Sequence, residues 1–518
     1  MCVDPASKRG KTYDLSREVS WTEKSAVTTN HEKSADAIVP EMGRAEQLNR
    51  AKQMYVPKGQ PDSGNRGNVN EQCPHNLRQT ERSGKEKSTQ SMSQLLEKIL
   101  SRDNMNLAYK RVKANRGAGG VDGVEMDELY DYIKENWKGI KEQIEERKYK
   151  PQPVRRVEIP KPNGGVRKLG IPTLMDRVIQ QAIAQVISPI CEPYFSDRSY
   201  GFRPNRSCEM AILRLLDYLN DGCTWIVDID LEKFFDNVPQ DRLMSLVHNI
   251  IDDGDTESLI RRYLKAGVMT EQGYERTDMG TPQGGNLSPL LSNIMLNELD
   301  KELESRGLSF VRYADDCIIA VRSEASAKRV MRTITGWIER KLGLKVNATK
   351  TKITTPRDLK YLGFGFFKDS KTGQWKPRPH KDSVERFKQK LKRLTIRRWS
   401  INFRERVKRI NQVTRGWINY FAICSMKTVM SDMDAHLRTR LRMIIWKQWK
   451  VPSRRQWGLQ KLGVGKDLAR LTAYCGDRYY WVVTKTCVVK AISKEKLAQA
   501  GLVSLLDYYT ERHALKFS

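Results

Sequence analysis

Between Ser309 and Val321 the chain reads Ser-Phe-Val-Arg-Tyr-Ala-Asp-Asp-Cys-Ile-Ile-Ala-Val, two apolar runs on either side of adjacent aspartates. No other stretch restricts the fold as tightly. Runs this apolar bury as strands of a sheet, and the acids between them are expected as a two-residue Asp315-Asp316 turn with both carboxylates at the hairpin tip. Taken alone, Asp-Asp is an ordinary turn pair. Between long apolar strands it is less ordinary, because neighbouring carboxylates repel unless a cation neutralises them.

Two further segments have the same character. Trp225 to Val238, Trp-Ile-Val-Asp-Ile-Asp-Leu-Glu-Lys-Phe-Phe-Asp-Asn-Val, is an apolar strand ending in acids and two aromatics. Asp228 and Asp230 alternate onto one face of it. A solvated strand edge explains poorly why acids interrupt so apolar a run. Met279 to Asn293, with Gly280-Thr281-Pro282-Gln283-Gly284-Gly285 at its centre, opens a helix through a turn whose glycines permit close backbone approach. Mg²⁺ prefers carboxylate oxygens and water, so aspartates converging from neighbouring strands are candidate ligands.

The charge balance says what surrounds these segments. There are 92 Lys plus Arg against 62 Asp plus Glu, a net charge of +30 and a pI near 9.7. A polyanionic partner is the simplest account, nucleic acid before a membrane surface. The start has no apolar signal region, and no run approaches the ~18 apolar residues of a spanning helix. The expectation is a cytoplasmic protein with no signal peptide and no membrane partner. The nine cysteines include no Cys-x-x-Cys pair, and the six histidines lack metal spacing. Zinc is therefore not expected, and reduced thiols fit the cytosol.

Residues 1–90 are polar, with turns such as Pro61-Asp62-Ser63-Gly64, and read as a disordered extension. It is either a basic arm or an over-long start of the reading frame. Helical periodicity begins at Ser93-Gln94-Leu95-Leu96, with Ser93 as N-cap. The Gly-rich loop Ala114 to Gly123 follows no strand, so it is not a nucleotide-binding fingerprint. A hairpin is expected from Val154–Pro160 and Val166–Ile171 around Lys161-Pro162-Asn163-Gly164-Gly165, then a helix over 174–187 and mixed α/β structure to about Phe367. Beyond Lys376 the chain is basic and helical to about Trp449. The resulting division is 1–90, 91–375, 376–450 and a small appendage at 451–518.

In this order, the Asp-x4-Phe segment, the Pro-Gln-Gly segment and the Tyr-Ala-Asp-Asp box resemble the palm of reverse transcriptases. The resemblance implies roles. Asp230, followed by Phe235 at the family's spacing, matches the first metal-binding aspartate, with Asp228 the poorer choice. Asp315 and Asp316 match the other two catalytic aspartates, and the Leu231 backbone carbonyl would complete a site for two Mg²⁺ ions. Phe235 matches the aromatic that excludes a 2′-hydroxyl, and Gln283 lines the nucleotide pocket. Lys161 and Arg167 match the basic pair that grips the triphosphate.

Longer stretches narrow the family. Ala114-Asn115-Arg116-Gly117 to Gly123, Tyr200-Gly201-Phe202-Arg203-Pro204 and Lys360-Tyr361-Leu362-Gly363-Phe364 look like blocks of group II-like enzymes. Phe403 to Phe421, Phe-Arg-Glu-Arg-Val-Lys-Arg-Ile-Asn-Gln-Val-Thr-Arg-Gly-Trp-Ile-Asn-Tyr-Phe, resembles the maturase domain of group II intron-encoded proteins. The resemblance covers residue 93 onward. It implies an α/β right-hand polymerase, fingers and palm with an antiparallel sheet, followed by an α-helical thumb/maturase domain. The activity implied is RNA-directed DNA synthesis, with assistance to splicing and retrohoming of the parent intron. The implied partners are group II intron RNA, a DNA target, an RNA template-primer and deoxynucleoside triphosphates.

On the maturase stretch, Val407, Ile410, Val413 or Thr414, Trp417 and Tyr420 or Phe421 fall at helical spacing as one buried stripe. Arg406, Lys408, Arg409 and Arg415 are the candidate RNA-binding cations, because few acids offset them at i,i+4. The Cys/His-rich endonuclease of larger relatives is not expected, since the tail has no cysteine pairs. The tail is a candidate DNA-binding appendage. Its aromatics Trp449, Trp457, Tyr479, Tyr480 and Trp481 read mostly as core. The rivals are a related enzyme used in CRISPR spacer capture or diversity generation, and a splicing factor with a dead polymerase.

Overall fold

Alternation and apolar runs place the strands, and tertiary pairing assembles those of the described residues into two four-stranded sheets and one two-stranded sheet. The structure is a computed structural model describing residues 92–160, 164–476 and 478–517. The expected disordered extension and, at the hairpin tip, Lys161, Pro162 and Asn163 lie outside the described residues. The chain divides into two compact units, one holding 92–362 and Phe366–Trp375, the other Gly363–Gly365 and 376–517.

In the first unit, β1 (Val154–Pro160) and β2 (Val166–Ile171) form the expected antiparallel hairpin, from Arg155 opposite Ile171 to Pro160 opposite Val166. A second sheet takes the order β6-β7-β3-β8: β3 (Trp225–Ile229) lies between β7 (Asp316–Val321) and β8 (Lys352–Thr354), with β6 (Ser309–Tyr313) outside β7. All its pairings are antiparallel. The hairpin's sheet is mixed, which departs from the expectation of antiparallel sheets alone. β1 also pairs in parallel with β4 (Val268–Thr270), which turns back into β5 (Gly273–Glu275).

Two helices anchor this core. Leu174–Cys191 is apolar nearly all round, as a helix buried on several sides must be. Its N-cap Thr173 accepts from the Asp176 N–H. Ser288–Ser305 starts with Pro289 in its first turn, where the missing N–H costs nothing. It buries Leu290, Leu291, Ile294, Met295 and Leu299.

The second unit is helical. Lys381–Leu394, Phe403–Tyr420 and Lys427–Gln448 are its long helices. Val407, Ile410 and Thr414 are buried as the spacing predicts, and Trp417 stacks on Phe387 with centroids 4.4 Å apart. Arg406 is a correction. It is only 1% exposed, and its guanidinium donates to the carbonyls of Leu394 (2.5 Å), Ile396 (3.4 Å) and Trp399 (2.6 Å). It ties down the loop between two helices and has no face for RNA.

The tail is not a separate appendage. Helix Leu505–Phe517 packs on Phe403–Tyr420 and Lys427–Gln448. Asp434 accepts from the Leu505 N–H at 2.9 Å, Tyr509 donates to the Cys424 carbonyl at 2.9 Å, and Asn411 accepts from the Val503 N–H at 3.0 Å. Among the tail aromatics, Trp449 and Tyr479 are half-buried, but Trp457, Tyr480 and Trp481 are more than half exposed and are not core. Among the described residues, no helix is long and apolar enough to cross a membrane.

Candidate active site

Sheet register brings the acids together. Ile229 of β3 faces Cys317 of β7, so Asp230 follows one strand while Asp316 begins the other directly across from it. The β6–β7 turn differs from the expected Asp-Asp pair. Tyr313 pairs with Asp316, so Ala314 and Asp315 make the turn and Asp316 is already in the strand. Ala314 takes the left-handed conformation, φ +57°, that a tight two-residue hairpin requires. The offset by one residue lets Asp316 project beside β3.

The backbone around Asp230 is pinned by the segment leading into β8. Its N–H donates to the Thr351 hydroxyl at 3.2 Å, and its carbonyl accepts from the Asn347 N–H at 2.8 Å. Glu232 N–H donates to Lys345 across the Leu231–Val346 bridge. These bonds are made by the neighbours of Leu231, so its own carbonyl is not among their acceptors. The Asp230 carboxylate is paired with Lys350 Nζ at 3.2 Å.

Little else offsets the negative charge. Asp316 is accessible along one side, yet burial, then the charges of Asp315, Asp228 and Asp230, push its carboxyl up to about 7, with Lys350 opposing. Asp315 is raised by burial and Asp230, and eased by Arg167. Asp228 is raised to about 6 by burial and Asp230, and eased by Lys352. Like-charged carboxylates made costly to ionise, all oxygen donors, fit a hard divalent cation.

That electrostatics makes a prediction. Carboxyls whose folded pKa lies above the unfolded value of about 3.8 favour the folded state at low pH, and that contribution is lost as pH rises through the folded value. In EDTA, the wild type should therefore lose melting temperature relative to Asp316→Asn between pH 5 and pH 8. Mg²⁺ should restore more at pH 8 than at pH 5. Parallel pH profiles for the two proteins would show that the acids are not electrostatically coupled.

The glycine-rich turn closes the other side. Gly280, φ +86°, runs so close to the Phe234–Asn237 turn that a Cβ there would lie 2.7 Å from the Phe235 carbonyl. The Thr281 N–H donates to that carbonyl at 2.7 Å. Phe235 is half-buried, edge-on to buried Phe234 at 5.2 Å. Two residues on, the Gln283 carbonyl accepts from the Gly170 N–H of β2 at 2.8 Å. With the Gln283 amide assigned the orientation that satisfies both of its ends, its oxygen accepts from Arg167 Nη2 at 2.8 Å and its nitrogen donates to the Lys168 carbonyl at 3.1 Å. A single turn thus links Arg167, Gln283 and Phe235.

Sequence reasoning missed two contributors. Lys350 had no motif to mark it. Arg312 did have a signal, a charge in the middle of an apolar strand. It is fully buried, and pairs with equally buried Asp300 at 2.5 Å. Breaking such a pair from one side costs about 3–5 kcal/mol.

In the second unit, Lys408, Arg409 and Arg415 are exposed. Arg409 pairs with Glu405 at 2.8 Å, an i,i+4 partner that lowers its free charge, and Arg415 lies 6.0 Å from the Tyr508 ring.

Residues 159–366 match the family model described as reverse transcriptase (RNA-dependent DNA polymerase), and residues 384–463 match that of the group II intron maturase-specific domain. The group II intron-encoded protein LtrA of Lactococcus lactis subsp. cremoris is 37% identical over 243 residues, covering 47% of this chain and 40% of that protein. Protein YkfC of Escherichia coli (strain K12) is 35% identical over 277 residues, covering 46% of this chain and 73% of that protein. A putative COX1/OXI3 intron 2 protein of Saccharomyces cerevisiae is 29% identical over 356 residues, covering 57% and 41%. The chain therefore spans well under two thirds of LtrA's length.

Proposed function

Because the chain belongs to the group II intron reverse transcriptase and maturase family, we propose that it copies RNA into DNA and assists splicing and retrohoming of a parent intron. The observation that carries this reading is the register that faces Asp230 with Asp316, beside Asp315, in a cluster where burial and mutual repulsion outweigh the nearby cations. Asp230, Asp315, Asp316 and the Leu231 carbonyl would hold two Mg²⁺. When bound, such ions lower the pKa of an attacking hydroxyl and neutralise charge on the leaving phosphates.

The chain's own residues do the rest. Arg167, with Lys161, grips the triphosphate of an incoming deoxynucleotide through charge-assisted bonds. Gln283 fixes the Arg167 guanidinium and lines the nucleotide. Lys350 neutralises part of the Asp230 charge through its ion pair at 3.2 Å. In this reading 91–375 supplies fingers and palm, and 376–450 supplies the thumb and maturase surface with 451–518 packed on it. The partners are intron RNA, a DNA target and an RNA template-primer, met in the cytoplasm.

Phe235 serves as the sugar gate. Phe235→Ala should relax discrimination against ribonucleotides on the order of a hundredfold, the scale on which an apolar pocket discriminates against an added hydroxyl. Single-nucleotide incorporation of ribo- and deoxynucleotides reads it directly, and unchanged selectivity rules the gate out. The reading as a whole is tested by extension of a DNA primer on an RNA template, with Mg²⁺ and with EDTA. Absence of Mg²⁺-dependent extension by folded protein overturns it.

A further inference from the structure

We propose that Arg312 is a positioning residue for the metal-binding turn, acting through the Ala314 carbonyl. The inference rests on the reverse-transcription reading above.

Arg312 lies in the middle of β6 beside fully buried Phe310 and Val311. An aliphatic residue would fill such a position at no electrostatic cost, whereas a buried guanidinium must be paired and hydrogen-bonded throughout. It is. Nε and Nη2 take the two oxygens of Asp300 at 2.7 and 2.5 Å. Nη1 takes Asn293 Oδ1 at 3.0 Å and the Ala314 carbonyl at 2.9 Å. Asp300 alone would neutralise the charge. The remaining bonds do something else.

The Ala314 carbonyl belongs to the peptide that leads into Asp315. A peptide unit is planar, with its carbonyl and N–H on opposite sides, so holding the oxygen fixes the plane and the direction in which Asp315 leaves it. The hold is needed because Ala314 sits at φ +57°, where an L-residue is not at rest. The same guanidinium reaches the turn's other neighbour through Asn293, whose Nδ2 donates to the Gly201 carbonyl at 2.8 Å. Gly201 presses on the turn so closely that a Cβ would lie 2.2 Å from the Ala314 nitrogen. The Tyr200 N–H donates to the Arg312 carbonyl at 2.9 Å. The Tyr200-Gly201 block and the Arg312 side chain therefore hold the turn from two sides, joined by Asn293.

Two substitutions separate this role from simple packing. Arg312→Lys keeps a cation against Asp300, but one ammonium cannot serve Asp300, Asn293 and Ala314 together. Asn293→Ala leaves the Arg312 bonds to Asp300 and to the Ala314 carbonyl intact, and removes the Asn293 link between Arg312 and Gly201. We expect Mn²⁺ affinity of the protein alone, followed by electron paramagnetic resonance, to fall on the order of 10–100-fold in Arg312→Lys, as for other partners of metal-binding groups. The Mg²⁺ concentration for half-maximal extension should rise in step, while primer-template affinity stays at the wild-type value. Asn293→Ala should shift both readings the same way by less. If Arg312→Lys does not fold, Asn293→Ala decides. Metal affinity unchanged in folded variants, with only a lower melting temperature, overturns the proposal. A wild type that binds Mn²⁺ but extends no RNA-templated primer instead overturns the reverse-transcription reading, and the Mn²⁺ comparison still judges Arg312.

Discussion

Asp316→Ala should abolish extension of a DNA primer on an RNA template while leaving RNA binding nearly intact. Losing a metal ligand removes several kcal/mol of transition-state stabilisation, a rate loss on the order of a thousandfold or more. The exposed cations proposed to bind RNA, Lys408, Arg409 and Arg415, are elsewhere in the chain. The structure adds a second expectation that separates chemistry from folding. Asp316 is destabilised by burial and by three neighbouring carboxylates, so its removal relieves repulsion. The variant should melt no lower than the wild type in EDTA, and should gain less from Mg²⁺. Extension at a near-normal rate would overturn the metal assignment, whatever the melting curves do.

The second large effect separates copying from splicing. Replacing Lys408, Arg409 and Arg415 with Ala should slow splicing of the cognate intron more than single-nucleotide addition on a short template. Each is an exposed cation. Each lost phosphate contact flattens the salt dependence of RNA binding by about one unit of slope, roughly three units in all. A short duplex uses few such contacts, a folded intron many. Arg406→Ala is the internal contrast. It strands three carbonyls, at roughly 1–3 kcal/mol for each that finds no water. That variant should lose thermal stability, and with it both activities together. Equal losses of splicing and addition in a folded triple variant would move the RNA surface elsewhere.

What the sequence could and could not convey follows from the range of the interactions involved. β1, β2 and the strands around Tyr313 were legible because alternation and apolar runs are local properties. The one-residue offset of the turn was not. It depends on the side chain of Arg312 holding the Ala314 carbonyl and on Gly201, more than a hundred residues upstream, fitting against it. Lys350 is brought to Asp230 across 120 residues by the pairing of the segment that leads into β8, and is joined to it by an ion pair. Arg406 misled because its charge fitted the basic pattern of its helix. Only the loop folded over it shows that its Nη1 and Nη2 donors are used. The tail aromatics divide for the same reason, since Gly458 of helix Pro452–Lys461 lies against the Trp449 ring, whereas Trp481 is left about half exposed with Lys485 Nζ 4.0 Å from its ring centroid.

The bracing of Asn411 by the backbone of Gly501 and Val503 also has a consequence in time. The two ends of that contact lie about 90 residues apart in the chain. At synthesis rates of about 5–20 residues per second, the long maturase helix leaves the ribosome roughly 5–20 s before the segment that braces it. Helix Leu505–Phe517, which covers the neighbouring face and satisfies Asp434, arrives later still. Through that interval the helical unit carries an uncovered apolar seam beside exposed cations, while the strands bearing Asp230 and Asp316 have already been made. A nascent chain should thus acquire its polymerase centre before its second unit closes. An RNA docking during the delay would meet helices that are not yet braced.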